Sequence, residues 1–223
     1  MSPEAHKPTV AIFDLDGTLT WRDTLVPFLA EYVAARPRRL ARLWRLPGAL
    51  LAYAGSGADR GVLKARLIRM ALGTDPRGDI DAWAQDFVAA MPARGYFRPA
   101  ALAALEAHRR AGDRLVLLSA SPDLYVPHIG RLLGFAQTIC TEVGWRGDRL
   151  DGTLRSANRL GAEKLRVLES LRRQYAGQRV VAYGNSADDL VHLCQADQAL
   201  LVNAGRSARA RARQLGLATS DWR

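Results

Sequence analysis

Short hydrophobic runs and longer amphipathic stretches alternate along most of the chain, and the two periods predict two kinds of element. An apolar run beginning at Thr9 carries Val10-Ala11-Ile12-Phe13, and comparable runs occupy residues 114–119, 137–141, 179–184 and 198–202. Runs this short, bounded by Gly, Ser, Asp or Asn, read as strands buried on both faces of a parallel sheet. Between them, apolar positions recur at helical spacing over residues 98–111, 123–133, 162–175, 188–195 and 206–215. Strand and helix in alternation predict an α/β, doubly wound parallel sheet. Residues 145–154, with Gly147-Asp148 between apolar neighbours, predict a small β-hairpin excursion.

From Trp21 to Phe97 the strand signals stop. Helical patterns cover residues 23–35, 38–54, 59–72 and 79–90, broken by Pro37, Pro47, Gly55-Ser56-Gly57 and Gly73-Thr74-Asp75-Pro76. The expected organisation is a core made of residues 1–20 and 98–223, with an all-helical cap inserted at 21–97. The glycines of Gly55-Ser56-Gly57-Ala58-Asp59-Arg60-Gly61 are spaced somewhat like a dinucleotide-binding loop. They follow a helical stretch rather than a strand, so they read as an interhelical turn.

Composition adds scale and charge. At 223 residues and 48% hydrophobic content, the chain has ample material for a buried core with an insertion. No apolar stretch precedes the first strand, and Cys140 and Cys194 are too few for a disulfide framework, so a reduced, cytoplasmic setting is expected. The formal charge of +10 favours anionic partners. Arg36, Arg38, Arg39, Arg42 and Arg45 interleave with Leu40, Leu43, Trp44 and Leu46. That pattern suits a helix with its apolar face packed in the cap, and peripheral contact with an anionic membrane is the competing reading. Arg206, Arg209, Arg211 and Arg213 read as the exposed face of a terminal helix, and nothing points to nucleic acid.

The candidate chemistry gathers at strand ends, where open α/β sheets place their sites. Asp14 and Asp16 follow the first strand directly, in Asp14-Leu15-Asp16-Gly17-Thr18. A period of two sends both carboxylates to one side and Leu15 into the core. Two close carboxylates repel unless a cation or a shared proton relieves them, and a divalent ion is the natural remedy. The second strand ends in Ser119-Ala120-Ser121-Pro122, where a hydroxyl and backbone N–H groups can meet phosphoryl oxygens. Lys164 lies near the start of a helix after Gly161, and Gly184-Asn185-Ser186-Ala187-Asp188-Asp189 follows another strand.

In this order the four segments resemble the motifs of the haloacid dehalogenase superfamily, closest to the subgroup of phosphoserine phosphatase with its helical cap. The resemblance implies a magnesium-dependent phosphatase acting on a small phosphorylated substrate through an aspartyl-phosphate. Asp14 would be the nucleophile and Asp16 the general acid and base, with Lys164 neutralising charge beside them. Ser119 and Ala120 would bind the phosphoryl group, and Asp14, Asp16, Asn185 and Asp189 would hold the metal. Asn185 departs from the pattern, because an aspartate usually occupies this position; an amide oxygen can still ligate a hard cation but brings one charge fewer. Asp23, nine positions after Asp14, matches a glutamate that meets the substrate ammonium in amino-acid-specific relatives, and it equally suits a helix N-cap. A lipid-phosphate phosphatase, a phosphotransferase and a non-catalytic phosphate-binding protein are the other readings of the same residues.

Overall fold

The computed structural model describes residues 8–36, 60–73 and 75–222. The strands are β1 (Thr9–Phe13), β2 (Arg114–Pro122), β3 (Gln137–Thr141), β4 (Val143–Arg146), β5 (Arg149–Leu154), β6 (Arg179–Gly184), β7 (Gln198–Val202) and β8 (Ala218–Ser220). The helices among the described residues are α1 (Leu25–Ala34), α2 (Arg60–Leu72), α3 (Arg77–Ala90), α4 (Pro99–Arg110), α5 (Val126–Leu132), α6 (Ala162–Gln174), α7 (Leu190–Leu193) and α8 (Arg206–Gln214). Six strands form one parallel sheet in the order β3-β2-β1-β6-β7-β8, and β4 and β5 form an antiparallel hairpin.

β1 lies centrally, with β2 on one side and β6 on the other. The chain winds outward through β2 and β3, then crosses back to β6, so the order reverses at β1. A crevice opens beyond the carboxyl ends of strands at such a switch point. Alternation along β1 divides the core between the sheet faces. Ala11 and Phe13 belong to one buried cluster with Leu115 and Leu117, whereas Val10 and Ile12 join Val116, Leu118, Leu168 and Leu171 in a second. Burial of both faces is why these strands read as unbroken apolar runs.

Helices α1, α2 and α3 lie between β1 and α4 in the chain, and their apolar faces extend the first cluster rather than forming one of their own. Phe28, Leu67, Ile68, Ile80 and Phe87 pack there with Leu117 and Tyr125. The Phe28 ring meets Phe87 at 5.3 Å and Tyr125 at 4.7 Å between centroids. The two chain crossings into and out of this insertion run side by side. Trp21 N–H donates to Tyr96 O at 3.0 Å, Arg98 N–H donates to Leu19 O at 2.9 Å, and Thr20 and Phe97 form an antiparallel bridge.

Several boundaries differ from the sequence expectations for local reasons. β2 continues past Ser119 to Pro122, since a residue before proline is driven to extended backbone, and α5 then starts at Val126 rather than 123. The hairpin begins at Val143, and the helix expected at 188–195 is a tight turn at Ala187–Asp189 followed by the single turn of α7. The edge strand β8 carries no hydrophobic run and was not anticipated. Arg36 does not face water freely: its guanidinium lies 3.6 Å from the Tyr32 ring centroid and donates to Tyr32 O. The rest of that arginine cluster, the helix expected at 38–54 and most of the Gly55–Gly61 turn lie outside the described residues. In α8, Arg209 is half-buried and bonded to Ala204 O and Asp221, while Arg206, Arg211 and Arg213 are exposed. No helix among the described residues is long and apolar enough to cross a membrane.

Phe28 joins the insertion to the sheet layer through fully buried aromatic contacts. Phe28→Ala is expected to lower unfolding stability by about 3–5 kcal/mol, measured as a shift in the urea midpoint.

Candidate active site

The site begins where β1 stops. Asp14 N–H continues the ladder by donating to Tyr183 O at 3.0 Å, and the backbone then swings through a wide turn closed by Thr20 N–H on Leu15 O. Gly17 takes φ +81° in that turn, a conformation that favours glycine. A Cβ there would lie 2.0 Å from Asn185 Nδ2, so the bare backbone also lets the Asn185 amide rest against the loop. Asn203 holds the turn from behind, donating from Nδ2 to Gly17 O at 3.1 Å and accepting Trp222 N–H at 2.8 Å. Leu15 is buried in the core, as the alternation predicts, and Asp14 and Asp16 line one open cleft of about 430 Å³.

Lys164, only 2% exposed, enters this cleft from the first turn of α6. Its Nζ donates at 2.6 Å to Asp14 Oδ1 and at 2.6 Å to Asp189 Oδ1. Burial alone would lower the Lys164 pKa, but the two carboxylates reverse this and hold it above the ordinary lysine range. The carboxylates divide the lysine unequally. Asp189 Oδ2 also accepts Asn185 N–H, Ser186 N–H and Ser186 Oγ–H at 3.0, 2.9 and 2.7 Å. Against its burial, Lys164 and these donors keep Asp189 below the usual carboxylate range. Asp14 has one other donor, the Thr18 hydroxyl at 3.0 Å. Burial, joined by repulsion from Asp189 and Asp16, pushes its pKa up to about 7 despite Lys164. His192 adds no relief, because burial and then the Lys164 charge push it down to about 4.

Asp16 is held by a separate set of groups. Its Oδ1 accepts Thr24 N–H at 2.8 Å and Thr24 Oγ–H at 2.7 Å, and its Oδ2 accepts Ser121 Oγ–H at 2.6 Å. Thr24 spends its one hydroxyl proton on Asp16, so Tyr125 donates in the 3.0 Å contact between the two hydroxyls. Burial and then the nearby Asp23 push the Asp16 carboxyl up to about 6, against the hydrogen bonds that favour its charge. That value lies close to where a group can both give and take a proton near neutrality.

The remaining expected residues separate. Ala120 lines the cleft, but Ser119 is 1% exposed and does not; its Oγ accepts Ser121 N–H at 3.0 Å. Ser121 is the hydroxyl that reaches Asp16, because β2 continues two residues beyond Ser119, past a register shift between Leu118 and Pro122, and carries Ser121 out to the strand's carboxyl end. Asp23 accepts Val26 N–H at 3.0 Å in the first turn of α1, whose N-cap position is Thr24, and it also lines the cleft. Asn185 and Asp188 stand at the mouth, whereas both oxygens of Asp189 are taken up in anchoring Lys164 and the loop.

Lys64, from α2, was not singled out in the sequence. It is 3% exposed, lines the cleft, and donates to Ala120 O at 2.5 Å and Asn158 Oδ1 at 2.6 Å. Burial lowers its pKa to about 8, partly opposed by Asp16 and Asp23. A signal for it did exist: among 32 basic residues the only lysines are Lys7, Lys64 and Lys164, and two of these three reach the site. Thr24, Ser121, Tyr125 and Asn203 carried no comparable signal, being ordinary capping, turn and core types.

Among the described residues, no group of three or more His, Cys, Asp or Glu side chains forms a ready metal cage. The cleft does offer side-chain oxygens from Asp14, Asn185 and Asp188, and its acidic lining outweighs Lys64, Lys164 and Arg22. Such a set suits a hard cation that keeps several waters and takes further ligands from a substrate phosphate.

Known proteins resemble this chain in sequence and in fold. A sequence model described as haloacid dehalogenase-like hydrolase matches residues 11–193. Protein CicA of Caulobacter vibrioides is 35% identical over 197 residues, covering 86% of this chain and 85% of the relative. In fold, the chain is similar to a protein of unknown function from Bordetella pertussis Tohama I, with a TM-score of 0.80, 19% identity, and coverage of 97% and 100% of the two chains. It is also similar to a phosphoserine phosphatase solved as a phospho-aspartyl intermediate analogue, with a TM-score of 0.68, 14% identity, and coverage of 97% and 94%.

Gly17 carries both the loop conformation and the seat of Asn185. Gly17→Ala is expected to remove most activity while costing about 1–3 kcal/mol of stability from backbone strain, to be read from turnover and a thermal melt of the same preparation.

Proposed function

From the premise that the chain belongs to the haloacid dehalogenase-like hydrolase family, we propose that it is a phosphatase that hydrolyses a small phosphomonoester through an aspartyl-phosphate. One observation carries this reading. Asp14 and Asp16 stand two residues apart in one cleft but answer to different partners, Asp14 to Lys164 and Asp16 to Thr24 and Ser121. A nucleophile and a proton carrier need that division, because their environments must set them different tasks.

In the proposed reaction an Asp14 carboxylate oxygen attacks phosphorus in line, and the bond from phosphorus to the leaving oxygen breaks. Asp16 gives its proton to that oxygen. The deprotonated Asp16 then takes a proton from water, the resulting hydroxide attacks phosphorus, and the bond from phosphorus to Asp14 breaks to release phosphate. Lys164 neutralises charge on Asp14 and the phosphoryl group, and Lys64 presents a second ammonium from the insertion. Ser121 and the backbone at Ala120 border the phosphoryl position. Magnesium would be held by Asp14, the Asp16 backbone carbonyl and Asn185, with Asp188 nearby; when bound it offsets phosphoryl charge. Asp189 is assigned to positioning Lys164 rather than to direct ligation. Retention of Asp16 favours phosphate ester hydrolysis over dehalogenation.

Asp14→Asn is expected to reduce phosphatase turnover to background with the fold intact, since an amide cannot form the acyl phosphate. Asp16→Asn is expected to slow alkyl phosphates by about 10²–10⁴-fold and aryl phosphates with acidic leaving groups much less. Steady-state kinetics with both ester types test this pair, and near-parental turnover in Asp14→Asn would overturn the mechanism. A magnesium titration tests the metal assignment separately. Asn185→Asp adds an anionic oxygen beside the cation and is expected to lower the half-saturating magnesium concentration several-fold, whereas an unchanged value would remove Asn185 as a ligand.

A further inference from the structure

Beside the catalytic cleft lies a second open cleft of about 490 Å³, and the two share Trp21, Arg22 and Asp23 along their common lip. Its other wall is formed by Pro27, Gly95 and Tyr96. Trp21 is 42% exposed although its backbone belongs to the paired chain crossings, next to buried Thr20. An exposed indole in isolation means little, because scattered apolar residues are ordinary on protein surfaces. The support beneath this one is what sets it apart.

The Arg98 guanidinium lies 4.3 Å from the centroid of the Trp21 ring. Arg98 is itself only 9% exposed, and it is fixed by donating from Nη1 to Trp222 O at 2.7 Å and from Nε to Thr20 O at 3.3 Å. Trp21 N–H is tied to Tyr96 O at 3.0 Å. The indole is thus backed on one face by a buried cation and anchored at its backbone, while the rest of the ring borders both clefts. A pre-ordered aromatic surface loses little conformational freedom when another planar group stacks on it.

We propose that Trp21 is the platform of a leaving-group subsite, and that the substrate is a phosphomonoester whose alcohol portion carries a planar aromatic ring. The inference rests on the phosphatase reading for where the phosphate sits. With that group against Asp14 and beside Lys164, an ester too large for the catalytic cleft leaves it across Trp21 toward Pro27 and Tyr96. Arg94 in the second cleft is already paired with Glu31 at 2.6 Å, so the wall facing Trp21 offers contact surface more than a free charge.

The test compares phenethyl phosphate with its ring-saturated analogue, cyclohexylethyl phosphate. Both leave as primary alcohols of similar acidity, so a difference reports on the ring rather than on departure of the oxygen. The unaltered protein with magnesium is expected to favour the phenyl ester by about three- to tenfold in kcat/KM. Trp21→Phe is expected to keep much of that ratio and Trp21→Ala to bring it close to one, with thermal melts establishing that both variants fold. Equal use of the two esters by the unaltered protein, or a preference that survives in Trp21→Ala, overturns the subsite. Calorimetric titration with the two corresponding phosphonates, which cannot be hydrolysed, reads the same preference as binding. Absence of turnover with every ester defeats the phosphatase reading alone; a Trp21-dependent preference between the phosphonates then still supports the subsite, and equal or absent binding of both overturns it.

Discussion

The ammonium of Lys164 between Asp14 and Asp189 is the interaction on which the rest of the site depends. A lysine buried to 2% exposure would shed its proton or expel its helix if it stood alone, and two carboxylates facing each other would do likewise. Together they make a bridge that ties the end of β1, the first turn of α6 and the loop after β6 to one atom. Removing one partner from a buried pair of this kind costs about 3–5 kcal/mol. The bridge also leaves a surplus of negative charge, because one lysine serves two acids while Asp16 stands close by. Burial first, and then that surplus, make Asp14 hard to ionise in isolation, and the surplus makes the cleft receptive to a cation.

Around this bridge, positioning of Asp16 is joined to docking of the inserted helices. Asp16 is held by Thr24, the residue preceding α1, and by Ser121 at the end of β2. Tyr125 touches Thr24 through its hydroxyl, and its ring packs on Phe28 of α1. A shift of α1 against the sheet layer would therefore carry Thr24 away from Asp16. Lys64 makes a second link of the same kind, reaching from α2 to the Ala120 carbonyl beside the site. The inserted helices thus help hold the side chains of the cleft, since hydrogen bonds this short tolerate little displacement.

The C-terminal segment plays a comparable part from the other side. Trp222 packs its ring against Tyr183, gives its N–H to Asn203 and its carbonyl to Arg98. Asn203 passes the constraint to Gly17 in the catalytic turn, and Arg98 passes it to Trp21 at the lip of the cleft. Asn203 adopts φ +53°, a conformation that asparagine tolerates better than most residues, and so turns the chain after β7 while its side chain faces the catalytic loop.

By itself the sequence determined the elements whose causes are local. The apolar run at Thr9–Phe13, the helical periods and the glycine turns follow from period and propensity, and the observed elements occupy nearly those positions. It also determined that Asp14 and Asp16 leave β1 toward one side, because strand geometry requires it. Only the tertiary structure decided which neighbours they meet. Ser119 and Ser121 are the same residue type two positions apart, and only the length of β2 decided that Ser121, at the strand's carboxyl end, meets Asp16 while Ser119 stays buried below it. Lys64 lies on a helix one hundred residues before Lys164, and no local pattern says that both end in the same pocket. Asp189 was readable as an acidic residue after β6, and only the packing of α6 against its loop brought Lys164 to one of its oxygens and Ser186 to the other. Periodicity acts over a few residues, whereas side-chain partners are chosen by the closure of loops tens of residues long, and that closure is where local sequence stops informing.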